Sequence, residues 1–218
     1  MQKLSTCKKC IRIVNNLNKL KKSNPEYLNR PIIPIPRDNA YLCIVGLAPG
    51  LTGANRTGRI FDGDFSGHIL SQALLASNFN DKHKNNYPYI TNAVKCYPPK
   101  NKPNITEINN CNIFLKNELN SLRKLKVIVA LGFTAHNSVL SAYSLIKNNY
   151  KFNHGKIHII GKDLVLIDSY HCSKINVYTK RLTISMLVEI LKIAKSNIWA
   201  RILQLSLIHI SEPTRPRI

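Results

Sequence analysis

Short, continuous apolar runs alternate along the chain with longer stretches in which apolar residues recur every three or four positions. The runs are Tyr41 to Val45, Tyr89 to Val94, Val127 to Leu131, Ile157 to Ile160 and Leu164 to Ile167. Each is short, β-branched and closed by turn-forming residues, which predicts a buried strand. Helical spacing appears at Ile11, Val14, Leu17 and Leu20, and again at Ile69, Leu70, Ala73 and Leu74. It returns at Ile108, Cys111, Leu115, Leu119 and Leu122, from about Thr134 to Ile146, and at Leu187, Ile190, Leu191, Ala194 and Ile198, in a helix predicted over about 179–198. Thr106 reads as the N-cap of the third of these helices, with Glu107 in its first turn. Gly161-Lys162-Asp163 predicts a hairpin between the last two runs. A connection with Pro25, Pro31, Pro34 and Pro36 wraps the domain in extended form, and polar residues 78–86 link a helix to the second strand.

Strands alternating with helices predict an α/β fold, a parallel sheet covered on both faces. In such sheets ligands bind beyond the carboxyl ends of the strands. Three loops leave strand ends there: the one opening at Gly46, the one from Cys96 to Pro103, and the one carrying His171. All three are expected to meet at one crevice. The first holds Gly46, Gly50, Gly53, Gly58 and Gly63, so its backbone can turn sharply and approach a ligand closely. Gly53 and Gly58 have the glycine spacing of a phosphate-binding loop. Arg59-Ile60 stands where Lys-Ser/Thr would be needed, which argues against an NTPase.

Charge narrows the partner. With 32 Lys+Arg against 11 Asp+Glu, the chain of 218 residues carries a formal charge of +21, and a polyanion is its natural partner. Its length suits one domain with a proper core. Neither a membrane-length apolar stretch nor a signal-peptide core is found, so a cytoplasmic protein is expected. Six cysteines in such a compartment point to thiols or metal ligands before disulfides. Cys7 and Cys10 form a C-x2-C pair beside lysines, and Cys96 and Cys111 could complete a four-sulfur set. By spacing alone zinc and an iron–sulfur cluster fit equally. Cys43, inside a strand, reads as buried and unliganded. His171 follows a strand with Ser169 and Ser173 beside it, and its place at the crevice favours function over a structural role.

Together these residues resemble a family. Gly46-Leu-Ala-Pro-Gly50, Gly53-Ala-Asn-Arg-Thr-Gly-Arg59, Thr91-Asn-Ala-Val-Lys-Cys96-Tyr-Pro-Pro-Lys-Asn-Lys-Pro103, Ser169-Tyr-His-Cys-Ser-Lys-Ile-Asn176 and Arg181-Leu-Thr183 are similar, in order, to the family 5, or type-B, uracil-DNA glycosylases. The resemblance implies a three-layer αβα sandwich around a central, mainly parallel four-stranded sheet. It also implies a structural [4Fe–4S] cluster on Cys7, Cys10, Cys96 and Cys111. The implied activity is that of a monofunctional DNA repair glycosylase, which hydrolyses the N-glycosidic bond of uracil in DNA and leaves an abasic site. Asp64 would orient the attacking water and stabilise the sugar cation, and His171 would hydrogen-bond the departing base. Gly46, Leu47, Ala48, Asn55, Phe61, Asn92 and Asn101 are the expected substrate-binding residues, with Phe61 as stacking platform and the amides reading the base edge. Leu47 stands where other branches of the superfamily carry a polar, water-activating residue, so the carboxylate duty passes to Asp64. Tolerance of hypoxanthine or xanthine follows as a hypothesis. Cys172 departs from the family, in which proline usually follows the histidine, and this puts the rigidity of the His171 loop in question.

The expected partner is uracil-containing DNA, bound by a bacterial or archaeal monomer without membrane association. Rival readings are a non-catalytic iron–sulfur nucleic-acid-binding protein and a zinc-ribbon ribosome-associated factor. Both lack a use for Asp64 together with His171. Residues 1–204 are expected to form one domain. Leu205 to Arg215 spells LSLIHISEPTR, which resembles a translated sequencing adapter, so residues 205–218 are expected to be an artefactual tail on a chain truncated near Gln204.

Overall fold

The computed structural model describes residues 3–79 and 87–210, with side chains as far as Leu203. Residues 80–86 of the polar linker and 211–218 of the tail lie outside the described residues. The elements in chain order are α1 (Ile11–Ser23), β1 (Leu42–Gly46), α2 (Ala54–Thr57), α3 (Phe65–Ala76), β2 (Tyr89–Asn92), α4 (Ile105–Ser121), β3 (Val127–Leu131), α5 (Phe133–Ala142), β4 (Ile157–Gly161), β5 (Leu164–Ser169), α6 (Lys174–Tyr178) and α7 (Ile184–Ile210). The strands form one sheet in the order β2-β1-β3-β5-β4. The pairs β1/β2, β1/β3 and β3/β5 are parallel. The hairpin adds β4 as an antiparallel edge, a fifth strand beyond the four expected.

Alternation along the strands divides the core in two. Leu42, Ile44, Val127, Val129, Val165 and Ile167 pack with Leu70 and Ala73 of α3 and Leu187, Leu191 and Ala194 of α7. Cys43, Val45, Ile128, Ala130 and Leu166 point the other way, onto Leu115 and Leu119 of α4 and Ala135, Val139 and Leu140 of α5. A strand covered on both sides has no polar face, which is why these runs read as continuous in the sequence. Each fully buried Leu, Ile or Val contributes about 1.5–3 kcal/mol.

Helix ends differ from the expectation where side chains compete for the first turn. Asn104, not Thr106, caps α4: its side chain accepts the Glu107 N–H at 2.8 Å, and Glu107 accepts the Asn104 N–H at 2.8 Å. This capping box leaves Thr106 inside the first turn. α5 stops at Ala142, shortly before Ser144 turns left-handed at φ 57°. α7 starts after Thr183, whose hydroxyl accepts the Met186 N–H at 3.2 Å, while the buried Leu182 fixes the turn before it.

The β4 edge is held by a buried polar group. Asp168 Oδ1 lies 2.6 Å from His136 Nδ1 and Oδ2 lies 2.8 Å from His158 Nε2. Oδ2 also accepts the Asn153 N–H at 3.1 Å, and His136 Nε2 lies 2.8 Å from the Tyr150 carbonyl. One carboxylate on β5 thus ties together α5, β4 and the segment before β4. Replacing Asp168 with Ala leaves two buried rings and a backbone N–H without an acceptor. The expected result is a loss of about 3–5 kcal/mol, read as a lowered denaturation midpoint with the parent's m-value.

Candidate active site

The loop after β1 is built around a turn of helix rather than being irregular throughout. Gly58, left-handed at φ 75°, ends α2. Asn55 is fully buried inside this loop: its N–H bonds to the Gly50 carbonyl at 3.0 Å and its side chain donates to Asn29 Oδ1 at 2.8 Å. Asn55 therefore braces the loop against the N-terminal connection, although its own Oδ1 has no partner. Leu47 and Ala48 are half-buried. Leu47 meets the chain after β2 through its carbonyl, which accepts the Val94 N–H at 2.9 Å, and Ala48 packs beside Leu51 toward the cysteines.

Asp64 is the N-cap of α3, with Oδ1 accepting the Gly67 N–H at 2.9 Å. A side-chain carbon on Gly50 would meet Asp64 Oδ2 at 2.7 Å, and one on Gly53 would collide with the same carboxylate. The carboxylate therefore nests against two glycines of the loop that precedes it. Gly67 likewise has no room for a Cβ, which would strike the Phe61 carbonyl. Phe61, in left-handed backbone at φ 53°, sets its ring against Gly46, where an added Cβ would come within 2.7 Å of Cε2.

Gly46 pairs with Asn92 at the carboxyl end of β2. The Asn92 side chain is buried and reaches the Cα of Gly46, and its Oδ1 has no hydrogen-bond partner. An amide oxygen held in this way is poised for a donor from outside the protein.

His171 comes from the end of β5, and its ring centroid lies 6.2 Å from that of Phe61. Its Cβ would touch a side chain at Gly132, which carries φ 100° at the end of β3. Burial holds His171 below the ordinary histidine value, and the nearby charge of Asp64 offsets part of that shift. Cys172 does not loosen this loop. Its thiol is buried in the core and donates to the Ser66 carbonyl at 3.5 Å, and the Asn176 side chain donates to the His171 carbonyl at 2.8 Å.

Gly46, Phe61, Asp64, Asn92 and His171 thus come together at the carboxyl ends of β1, β2 and β5. Asn101 does not join them. It is exposed in a short turn beside α1, again in left-handed backbone at φ 57°. Exposed cations lie on the flanking segments: Arg56 and Arg59 on the loop, and Lys174, Lys180 and Arg181 after His171.

Cys7, Cys10, Cys96 and Cys111 line a single small cavity with Leu4, Ile13, Val94 and Phe114. Burial pushes the thiols of Cys10 and Cys96 up, and that of Cys111 up to about 11. Two of the sulfurs receive N–H donors, Cys111 from the Lys95 backbone at 3.2 Å and Cys10 from Asn110 at 3.8 Å. Elsewhere, the buried His136, His158 and Asp168 bring ligand-type atoms within 4.8 Å of one another, a donor set able to hold a metal ion. In the structure those atoms are hydrogen-bonded to each other.

The model of the uracil DNA glycosylase superfamily matches residues 34–195. A type-5 uracil-DNA glycosylase of Pyrobaculum aerophilum is 36% identical over 210 residues, covering 90% of this chain and 91% of that protein. A type-5 uracil-DNA glycosylase of Thermus thermophilus is 35% identical over 210 residues, with 89% and 95% covered. The chain belongs to the type-5 uracil-DNA glycosylase family. A type-4 uracil-DNA glycosylase of Archaeoglobus fulgidus is more distant, at 27% over 175 residues and 78% of each chain.

Within this family member, sequence reading misses the contacts that brace the site. Asn29 and the double duty of Asp64 carry no local pattern. A hint lies in Asp64-Phe-Ser-Gly67, where a capping residue precedes a helical run. The charge and cap roles of Asp64 separate cleanly. Asp64→Asn retains the cap and is expected to keep the parent's melting temperature, whereas Asp64→Ala costs about 1 kcal/mol; thermal unfolding of both variants checks this. For His171 the pH dependence has a definite sign. Its folded value lies below the unfolded value of about 6.5, so the unfolded chain binds the proton more readily. This contribution to stability is present above pH ~6.5 and is lost as pH falls below it. In a His171→Gln variant, denaturation midpoints across that window should lose this dependence.

Proposed function

We propose that this protein is a monofunctional uracil-DNA glycosylase, a hydrolase that begins base excision repair. The observation carrying the reading is the meeting of Phe61 and Asn92 at Gly46 with His171 beside Phe61 and near Asp64, on a chain whose flanking segments carry exposed cations. A base inside a duplex cannot reach such a pocket and must be extruded into it. The exposed lysines and arginines would hold the distorted phosphate backbone. Ile175, apolar and 71% exposed four residues after His171, would fill the gap that the extruded nucleotide leaves.

In the pocket, Phe61 offers a ring face to uracil and the free Asn92 Oδ1 accepts a base N–H. The bond between sugar C1′ and uracil N1 breaks with its electron pair on the base. His171, whose pKa desolvation lowers, donates an N–H to the uracil carbonyl oxygen as negative charge develops there. The Asp64 carboxylate faces the cationic sugar and orients the water whose oxygen bonds to C1′. That water's proton leaves with the products, uracil and an abasic site. Leu47 has no group that could activate water, so Asp64 carries this role alone, and hypoxanthine and xanthine are candidate further substrates.

Cys7, Cys10, Cys96 and Cys111 fit a [4Fe–4S] cluster: the donors are all thiols, they share one apolar-lined cavity, and two already receive N–H bonds. Such a cluster would supply no chemistry to the reaction. It would pin the N-terminal segment to α4 and the Pro-rich loop. The catalytic unit is the single domain 1–204, acting as a monomer.

Purified protein should cleave a uracil-containing oligonucleotide after alkali treatment. Asp64→Asn and His171→Ala should each lose on the order of 100-fold or more in single-turnover rate while still binding DNA in a gel-shift assay. Cys10→Ala should lose the broad visible absorption of the cluster. A wild-type protein that carries the cluster yet leaves uracil, hypoxanthine and xanthine substrates intact would overturn the enzyme reading in favour of a non-catalytic DNA-binding protein.

A further inference from the structure

Lys95 is among the most deeply buried large side chains of the molecule, with 1% of its surface exposed. Its ammonium group has three donors, and each has an acceptor: Thr91 Oγ1 at 2.6 Å, Glu118 Oε2 at 2.6 Å and the Asn92 carbonyl at 2.7 Å. The Thr91 hydroxyl donates to Glu118 Oε2 at 2.7 Å, which closes the network. A buried ammonium is tolerated only when it is paired and its remaining protons are hydrogen-bonded. The Asn92 carbonyl accepts the third proton, and the bond fixes the last peptide of β2.

The neighbouring backbone is held as tightly. The Ala93 and Val94 N–H groups bond to the Gly46 and Leu47 carbonyls, each at 2.9 Å, and the Lys95 carbonyl accepts the Ile32 N–H at 2.7 Å. The Lys95 N–H points at Cys111 Sγ at 3.2 Å. One residue therefore joins the peptide of Asn92, whose side-chain oxygen is free beside Gly46, to the wall of the cysteine cavity.

We infer that Lys95, anchored by Glu118, is a positioning residue that aims the Asn92 amide at the extruded base. The inference rests on the reading of Asn92 as a base contact. The base is reached only through the Asn92 side chain, so loss of the lysine should weaken recognition of uracil while leaving contacts to the DNA backbone intact.

The test uses Lys95→Met together with Glu118→Gln, which removes the charge pair without leaving a lone buried carboxylate and keeps an acceptor for Thr91. Thermal unfolding and visible absorption report the fold and the cysteine site independently of activity. The expected double variant is folded, retains its absorption, binds abasic-site DNA as the parent does, and loses on the order of tenfold in kcat/KM on uracil DNA, mainly through KM. In an Asn92→Ala background the same double change should have no further effect. Parental kcat/KM in a folded double variant would overturn the proposal, as would an undiminished effect in the Asn92→Ala background. Should the double variant not fold, Thr91→Val carries the test: a severalfold loss that vanishes in the Asn92→Ala background supports positioning, and parental kcat/KM overturns it. Full activity of Asn92→Ala alone would instead refute the base-contact reading itself.

Discussion

A carboxylate that begins a helix and, in the proposed reaction, also faces the substrate must be held from two sides, and the rest of this site depends on that constraint at Asp64. One oxygen takes the Gly67 N–H in the first turn of α3, and the other lies against the backbone of Gly50 and Gly53. The loop can close on the carboxylate only because those positions carry no side chain. Its closure then sets Phe61 over Gly46, which brings the ring toward His171. The glycines act by making room for the acid and the ring, more than by binding a ligand themselves.

The fold was largely legible in the sequence because both faces of the sheet are buried. Continuous apolar runs such as Val127 to Leu131 and helices with one apolar face leave few alternatives. Helix ends were less legible. Thr106 and Asn104 are both good caps, and only the reciprocal bond with Glu107 decides between them. In the site, Asp64 and Phe61 came from the family resemblance of their loop, and only His171 also from its place after a strand end. Asn55 and Asn101 were less legible, since a polar side chain in a loop motif looks the same whether it braces the loop from within or is exposed beside α1. Lys95 carried no signal, because one lysine among so many reads as surface until its three acceptors are in view.

Cys172 and the His136, His158 and Asp168 group show how differently polar atoms are used inside this core. The thiol gives a single weak bond to the start of α3 and otherwise packs as an apolar group. The carboxylate between two imidazoles organises a whole edge of the sheet. Both act on the His171 loop from below, one by anchoring it to the helix that Asp64 begins and the other by fixing the strand from which it emerges.

The strand order carries one more consequence. Gly46 ends β1 and His171 lies just beyond β5, strands that are not neighbours; β3 lies between them and is followed by Gly132. The two residues come within reach only after the two parallel pairings β1/β3 and β3/β5 have formed, and each pairing joins segments far apart in the chain. Such contacts are late and costly in loop entropy. A chain that has not yet added β3 and β5 can hold Gly46, Phe61, Asp64 and Asn92 but not His171 beside them. Its capacity to break a bond in DNA should arise only with the completed sheet, a safeguard that resides in the topology rather than in any one residue.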